Sequence, residues 1–134
     1  MSSIIPNAQS LTEIISLPKE SVIYFHIKNC RFCSTVGPVF ETIASVRAAT
    51  FEGVTLGRFN MTEHRETVEK LGVKDEITEK LRVKTFPTIV IYQAGGELSR
   101  IVGSHSQAEF EEWLMKSLRN RYVNHSSQEQ VDDT

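Results

Sequence analysis

Cys30 and Cys33 are the only two cysteines of the chain, held in the run Cys30-Arg31-Phe32-Cys33 directly after the apolar stretch Val22-Ile23-Tyr24-Phe25. Residues three apart on a first helical turn share a face. Such a turn brings Cα atoms within the roughly 4.4–6.8 Å that a disulfide needs. A helix N-terminus also offers unpaired N–H groups and positive partial charge, which favour a thiolate over a thiol. A dithiol placed there is suited to open, close and exchange with other disulfides.

The rest of the composition narrows the setting. With 134 residues the expectation is one domain long enough to bury a core. A net charge of −2 argues against nucleic acid or an anionic membrane as the main partner, since neither attracts a slightly acidic chain. No apolar run approaches the ~18 residues needed to span a bilayer. Met1-Ser2-Ser3-Ile4-Ile5-Pro6 has neither a basic start nor a long apolar stretch, so no secretory leader is expected. Both cysteines lie in the motif, leaving no structural disulfide framework, which fits a reducing cytoplasm.

The elements that must position the dithiol can be read in order. Residues 8–17 carry Leu11, Ile14 and Ile15 at helical spacing before Pro18. Residues 21–27 form a nearly continuous apolar strand, expected to be buried on both faces. From Arg31 to about Ala49 the pattern is helical, with Val36, Val39, Phe40 and Ile43 on one side and Pro38 expected to kink it. A second strand spans 54–60, and a charged helix runs from about Glu63 to Leu81. Thr88 to Tyr92 is a third strand, Gly95-Gly96 a hairpin turn, and Leu98 to Val102 its antiparallel return. Ser106 and Glu109 form a capping box that opens a last helix carrying Phe110, Trp113, Leu114 and Leu118, with Trp113 expected as a core anchor. The polar stretch 123–134 reads as a disordered tail following a domain of residues 1–122. A helical crossover implies a parallel pair and the closing hairpin adds antiparallel strands, giving an α/β fold with a four-stranded mixed sheet and helices on both faces.

The Cys30-Arg31-Phe32-Cys33 run, Pro38 five residues later, Thr85-Phe86-Pro87-Thr88 before an apolar strand and Gly103 before the last helix together resemble the thioredoxin family. The likeness covers roughly residues 8–120. It implies a thioredoxin fold and a protein-disulfide oxidoreductase with Cys30 as nucleophile and Cys33 as resolving thiol. It needs no metal or cofactor beyond the Cys30–Cys33 disulfide, and thioredoxin reductase or glutathione would serve as reductant of a monomeric protein. It also implies a cis bond before Pro87, facing the dithiol, with Phe86 and Pro87 beside Arg31 and Phe32 in a substrate groove. Proline cannot donate to a strand ladder, so the adjoining backbone stays open to an extended segment. The alternative is a proline that merely opens an edge strand.

The chain also departs from that family. Asn29 stands where a Trp is usual, and Arg31 and Phe32 replace Gly-Pro. Lys28 and Arg31 are expected to favour the Cys30 thiolate and make the couple more oxidising, unless they are simply solvated surface charges. Tyr24 takes the place of a buried carboxylate that helps to deprotonate the resolving thiol, and a phenol with a pKa near 10 is a poor base at neutral pH. His26 is a possible proton acceptor or a ring packed beside the strand.

A ten-residue segment, Glu66 to Asp75, is followed at once by a similar one, Glu76 to Thr85, identical at Glu, Glu, Lys, Leu, Val and Lys. This reads as a local duplication that lengthens the third helix or adds a turn near the site. Chance similarity between charged helical turns is the alternative. His26, Cys30 and Cys33 fall short of the ligand set that zinc prefers, and Pro87 argues against a bridging iron–sulfur cluster. Asn60-Met61-Thr62 and Asn124-His125-Ser126 match the glycosylation pattern, and with no secretory leader expected they are read as chance matches. Three functions remain open: a reductant of protein disulfides, an oxidant or isomerase on the same fold, and a binding module that docks a partner through residues 66–85.

Overall fold

Side chains alternate across a strand, and β2 (Ser21–His26) uses both sides. Val22 and Tyr24 enter one apolar cluster, and Ile23 and Phe25 another. A strand buried on both faces must lie inside a sheet that is covered on both sides. The computed structural model, which describes residues 2–47 and 53–118, shows this arrangement.

The remaining strands are β1 (Ser3–Ile4), β3 (Thr55–Asn60), β4 (Thr88–Gln93) and β5 (Gly96–Val102). The sheet order is β1-β3-β2-β4-β5. β1 and β2 run parallel to β3, while β2–β4 and β4–β5 are antiparallel. The helices are α1 (Ala8–Ile15), α2 (Cys33–Arg47), α3 (Met61–Leu71), α4 (Glu76–Leu81) and α5 (107–118). Val36, Phe40 and Ile43 of α2 and Phe110, Leu114 and Leu118 of α5 cover the face carrying Val22 and Tyr24. Leu11 and Ile15 of α1, Met61 of α3 and Val83 beyond α4 cover the other. No helix among the described residues is long and apolar enough to cross a membrane.

Among the described residues the sheet has five strands where four are expected. The extra one, β1, is only two residues long and lies at the sheet edge, too short to carry a periodic signal. Gly57 makes room for it, because a Cβ there would stand 2.7 Å from Ile5 Cδ1. The charged helix expected over 63–81 is two helices. Gly72 takes a left-handed conformation with φ 65° and closes α3, and Asp75 then caps α4 through its side chain, which accepts the Thr78 amide at 3.0 Å.

Arg82 closes α4 at the equivalent place of the second ten-residue segment, also left-handed with φ 54°. The local geometry therefore repeats, whereas the packing does not: Val83 is fully buried and its counterpart Val73 is 56% exposed. Arg100 of β5 clamps the end of α4, donating to Arg82 O at 3.0 Å and Leu81 O at 2.9 Å. This fixes the segment that leads into Pro87.

The hairpin turn sits one residue earlier than expected. Ala94 and Gly95, both at positive φ, are its central pair, and Gly96 already pairs with Gln93. The Ala94 and Gly95 amides donate to Leu17 O and Ile15 O at the end of α1, which holds the turn in that register. The capping box forms as read, with Ser106 N on Glu109 Oε1 at 2.8 Å and Glu109 N on Ser106 Oγ at 3.1 Å. Trp113 is only half-buried and spends its indole N–H on Ser99 Oγ at 2.9 Å. The tail 123–134 lies outside the described residues.

Candidate active site

β2 ends at His26, and the chain crosses the end of the sheet to reach α2. Two contacts shape that crossing. The Lys28 amide donates to Thr62 Oγ1 at the start of α3, at 2.9 Å. Asn29 adopts a left-handed conformation with φ 60°, which asparagine tolerates better than most residues. α2 begins at Cys33, two residues later than the helical pattern indicates, because Phe32 O accepts the first helical bonds from Thr35 and Val36. Pro38 lies within α2, where its missing N–H leaves the Ser34 carbonyl without its helical donor.

Cys30 and Cys33 are joined in a disulfide with Cα atoms 5.1 Å apart. The Cys33 amide, in the first turn of α2, donates to Cys30 Sγ at 3.1 Å. The two sulfurs stand in different surroundings: Cys30 is half-buried at the surface and Cys33 is buried. Cys30 is thus the more accessible member of the pair.

Under the dithiol lies Tyr24. Its hydroxyl donates to the Cys33 carbonyl at 3.1 Å, and its ring packs on Phe40 with centroids 5.3 Å apart. Burial pushes its phenol up to about 12, partly opposed by the charge of Arg58. His26 packs against Tyr24 with centroids 5.0 Å apart. Burial, reinforced by Arg58 and opposed by Glu63, holds the His26 imidazole below its ordinary value, so it is neutral at pH 7. Arg58, the β3 register partner of Tyr24, forms an ion pair with Glu41 of α2 at 3.1 Å.

The Phe86–Pro87 bond is cis. Thr88 pairs with Phe25 at the end of β2 that leads to the cysteines, so Phe86 and Pro87 arrive at the same end of the sheet as the dithiol. The Pro87 carbonyl accepts the Gly103 amide at 2.9 Å. Phe32 is 46% exposed, and the Arg31 guanidinium lies over its ring at 5.5 Å. Lys28 is exposed beside them. The structure therefore gathers Lys28, Cys30, Arg31, Phe32, Cys33, Phe86 and Pro87 at one end of the sheet, with His26 packed beneath.

Two participants carried no sequence signal: Thr62, which holds the Lys28 amide, and Arg65, whose guanidinium lies 5.1 Å over Phe86. Arg58 lies within the strand read over 54–60, but its place beside Tyr24 follows from the β2–β3 register, which only the structure supplies.

A sequence profile of the thioredoxin-like domain matches residues 8–118. The chain belongs to the thioredoxin-like family. Among thioredoxin relatives, that of Mycoplasmoides gallisepticum is 25% identical over 111 residues, covering 82% of this chain and 96% of the relative. A bifunctional thioredoxin reductase/thioredoxin of Mycobacterium leprae is 27% identical over 106 residues, 78% of this chain but 20% of that protein. The thioredoxin structure of Malassezia sympodialis superposes with a TM-score of 0.68 at 20% identity, covering 87% of this chain and 90% of that one. Thioredoxin-like membership and a bonded Cys30–Cys33 pair together support thiol–disulfide oxidoreductase chemistry.

Proposed function

We propose that this chain reduces protein disulfides, with Cys30 as nucleophile and Cys33 as resolving thiol. The observation that carries this reading is the asymmetric pair at the head of α2: a half-buried Cys30 whose sulfur accepts the Cys33 amide, and a buried Cys33 behind it. In the reduced protein that amide and the helix N-terminus stabilise a Cys30 thiolate. The thiolate attacks one sulfur of the substrate disulfide, forming a Cys30–substrate bond and releasing the other substrate sulfur as thiolate. Cys33 then loses its proton and attacks Cys30 Sγ. The second substrate sulfur leaves, and the Cys30–Cys33 disulfide closes. Two electrons pass from the dithiol to the substrate, and the protons end on the released thiols or in solvent.

Phe86, Pro87, Arg31 and Phe32 form the surface on which the substrate lies. Lys28 assists the thiolate by charge, and His26 acts through its packing on Tyr24. The dithiol is the only redox group required. Thioredoxin reductase returns the electrons, a choice supported by the M. leprae protein whose name joins the two activities. Glutathione is the alternative reductant. We place the protein in the cytoplasm as a monomer.

A second reading, an oxidant or isomerase, draws on Tyr24. Its hydroxyl is committed to the Cys33 carbonyl and is not a base at neutral pH, so release of the mixed disulfide by Cys33 is slowed.

Single-serine variants test the proposal. Reduced Cys33→Ser should accumulate a mixed disulfide with a protein substrate through Cys30, and Cys30→Ser should lose all exchange. Failure of Cys33→Ser to trap any substrate, with the fold intact, would overturn the assignment. Partner retention by Cys30→Ser would point instead to a docking module.

A further inference from the structure

We propose that the rim of the dithiol selects substrate disulfides flanked by carboxylate side chains, through Arg31 and Arg65, each seated on an aromatic ring of that rim. The proposal rests on the exchange reading above and names its substrate class.

Both guanidinium groups have the same setting. Arg31 lies 5.5 Å over Phe32, between the two cysteines, and Arg65 lies 5.1 Å over Phe86, next to Pro87. Arg65 reaches the rim because α3 is tied to it: Thr62 holds the Lys28 amide at 2.9 Å, and Arg65 follows three residues later on the same helix face. A guanidinium stacked on a ring keeps its N–H edge free, and that edge matches the two oxygens of a carboxylate. Seating it on the ring in advance also reduces the ordering cost of recognition.

Arg58, Lys74, Lys80 and Arg100 are each matched to a carboxylate of this chain. Among the described residues, Lys28, Arg31 and Arg65 have no such ion pair, and neither do Lys19, Lys70, Arg82, Lys84 and Lys116; what sets the first three apart is that they stand around the dithiol and Phe86. In a chain of net charge −2, three unmatched cations at one end of the sheet run against the overall balance. The opposing groups are Glu63, Glu66 and Glu69 of α3; Glu63 reaches His26 by its charge, and none of them forms an ion pair with the three. The rim thus offers a carboxylate two forked donors and a point charge.

The test measures reduction of three peptide disulfides, identical except for Glu, Ser or Lys on either side of the cysteines, by the reduced full-length protein. At about 20 mM salt, kcat/KM should favour the Glu-flanked over the Lys-flanked peptide by about tenfold, and the ratio should shrink at about 300 mM as screening sets in. Arg65→Glu and Arg31→Glu should each reduce or invert the ratio, and Arg65→Gln should give an intermediate value. Lys19→Glu makes the same change in net charge just before β2, at the opposite end of that strand from the dithiol, and should leave the ratio intact. Equal rates for the three peptides would overturn the proposal while leaving the exchange reading in place. A ratio that Lys19→Glu erases as fully as Arg65→Glu would also overturn it, as an effect of net charge alone. No reduction of any peptide would overturn the exchange reading and the proposal with it.

Discussion

The Tyr24 hydroxyl donates to the Cys33 carbonyl at 3.1 Å, joining the central strand to the first turn of the helix that carries the dithiol. With its proton held up to about 12 by burial, the phenol is a fixed donor and not a proton carrier. Tyr24→Phe should therefore lose about 0.5–1.5 kcal/mol of stability, the usual net worth of one hydrogen bond. Its exchange rate at pH 7 should stay far from the ~10²-fold or greater loss that follows removal of a general base. Stopped-flow exchange and urea unfolding on the same variant separate the two quantities. A rate collapse with stability intact would assign Tyr24 a catalytic role that its geometry denies.

The site was legible where its residues are close in sequence. The dithiol, its place after an apolar strand, the continuous apolar runs at 22–25 and 88–92, and the capping box at Ser106 are all local patterns, and each forms. What escaped was set by distant contacts. Arg65 and Phe86 meet across 21 positions, and Thr62 meets Lys28 across 34, with no periodicity to announce either. The turn at Ala94-Gly95 instead of Gly95-Gly96 follows from carbonyls of α1, which local turn preference does not see. Gly72 inside a charged helical pattern is compatible with continuation or with a C-cap, and only the packing of Val83 on the core decides for the break.

Asp75 makes the junction between α3 and α4 sensitive to acid. Burial raises its pKa, but bonds from the Thr78 hydroxyl and amide and from His64 outweigh that and hold the carboxyl below its ordinary value. A depressed folded pKa contributes stability that is complete above the unfolded value, near 3.8, and lost as pH falls through the lower folded one. Asp75→Asn keeps a capping oxygen and should lose only this pH-dependent part. Asp75→Ala should lose the cap as well, about 0.5–2 kcal/mol at pH 7. Urea titrations at pH 7 and in acid should show Asp75→Asn approaching the wild type as pH falls, with Asp75→Ala remaining less stable than both. Equal destabilisation of both variants at pH 7 would count against the capping role.

The two equivalent left-handed positions, Gly72 and Arg82, call for opposite responses to substitution. A side chain in the left-handed region costs roughly 1–2 kcal/mol, and glycine is free of that cost. Arg82→Gly should therefore stabilise the protein modestly, because Arg100 clamps the Arg82 carbonyl, which the variant retains. Gly72→Arg should destabilise by about 1 kcal/mol, although nothing lies within 4 Å of a Cβ placed there. Thermal unfolding of the pair checks the sign, and a loss in both variants would mean that the Arg82 side chain has a structural contact of its own.

The reduction potential of the Cys30–Cys33 couple decides between the reductant and oxidant readings. A thioredoxin-like couple sits near about −270 mV and a glutaredoxin-like one near about −200 mV, a gap of roughly 3 kcal/mol at about 30 mV per 1.4 kcal/mol. Exposed charges such as Lys28 and Arg31 contribute about 0.2–1 kcal/mol each, or at most about 20 mV apiece, and cannot span that gap together. The larger share falls to Tyr24, which puts a neutral phenol where a carboxylate would oppose a thiolate above it. We expect a wild-type potential less negative than about −270 mV. Arg31→Ala should lower it by no more than about 20 mV, and Tyr24→Asp should lower it further than Arg31→Ala does. Equilibration in glutathione buffers with thiol counting measures all three proteins. A wild-type value at or below about −270 mV would exclude the oxidant reading and leave Lys28 and Arg31 to recognition alone.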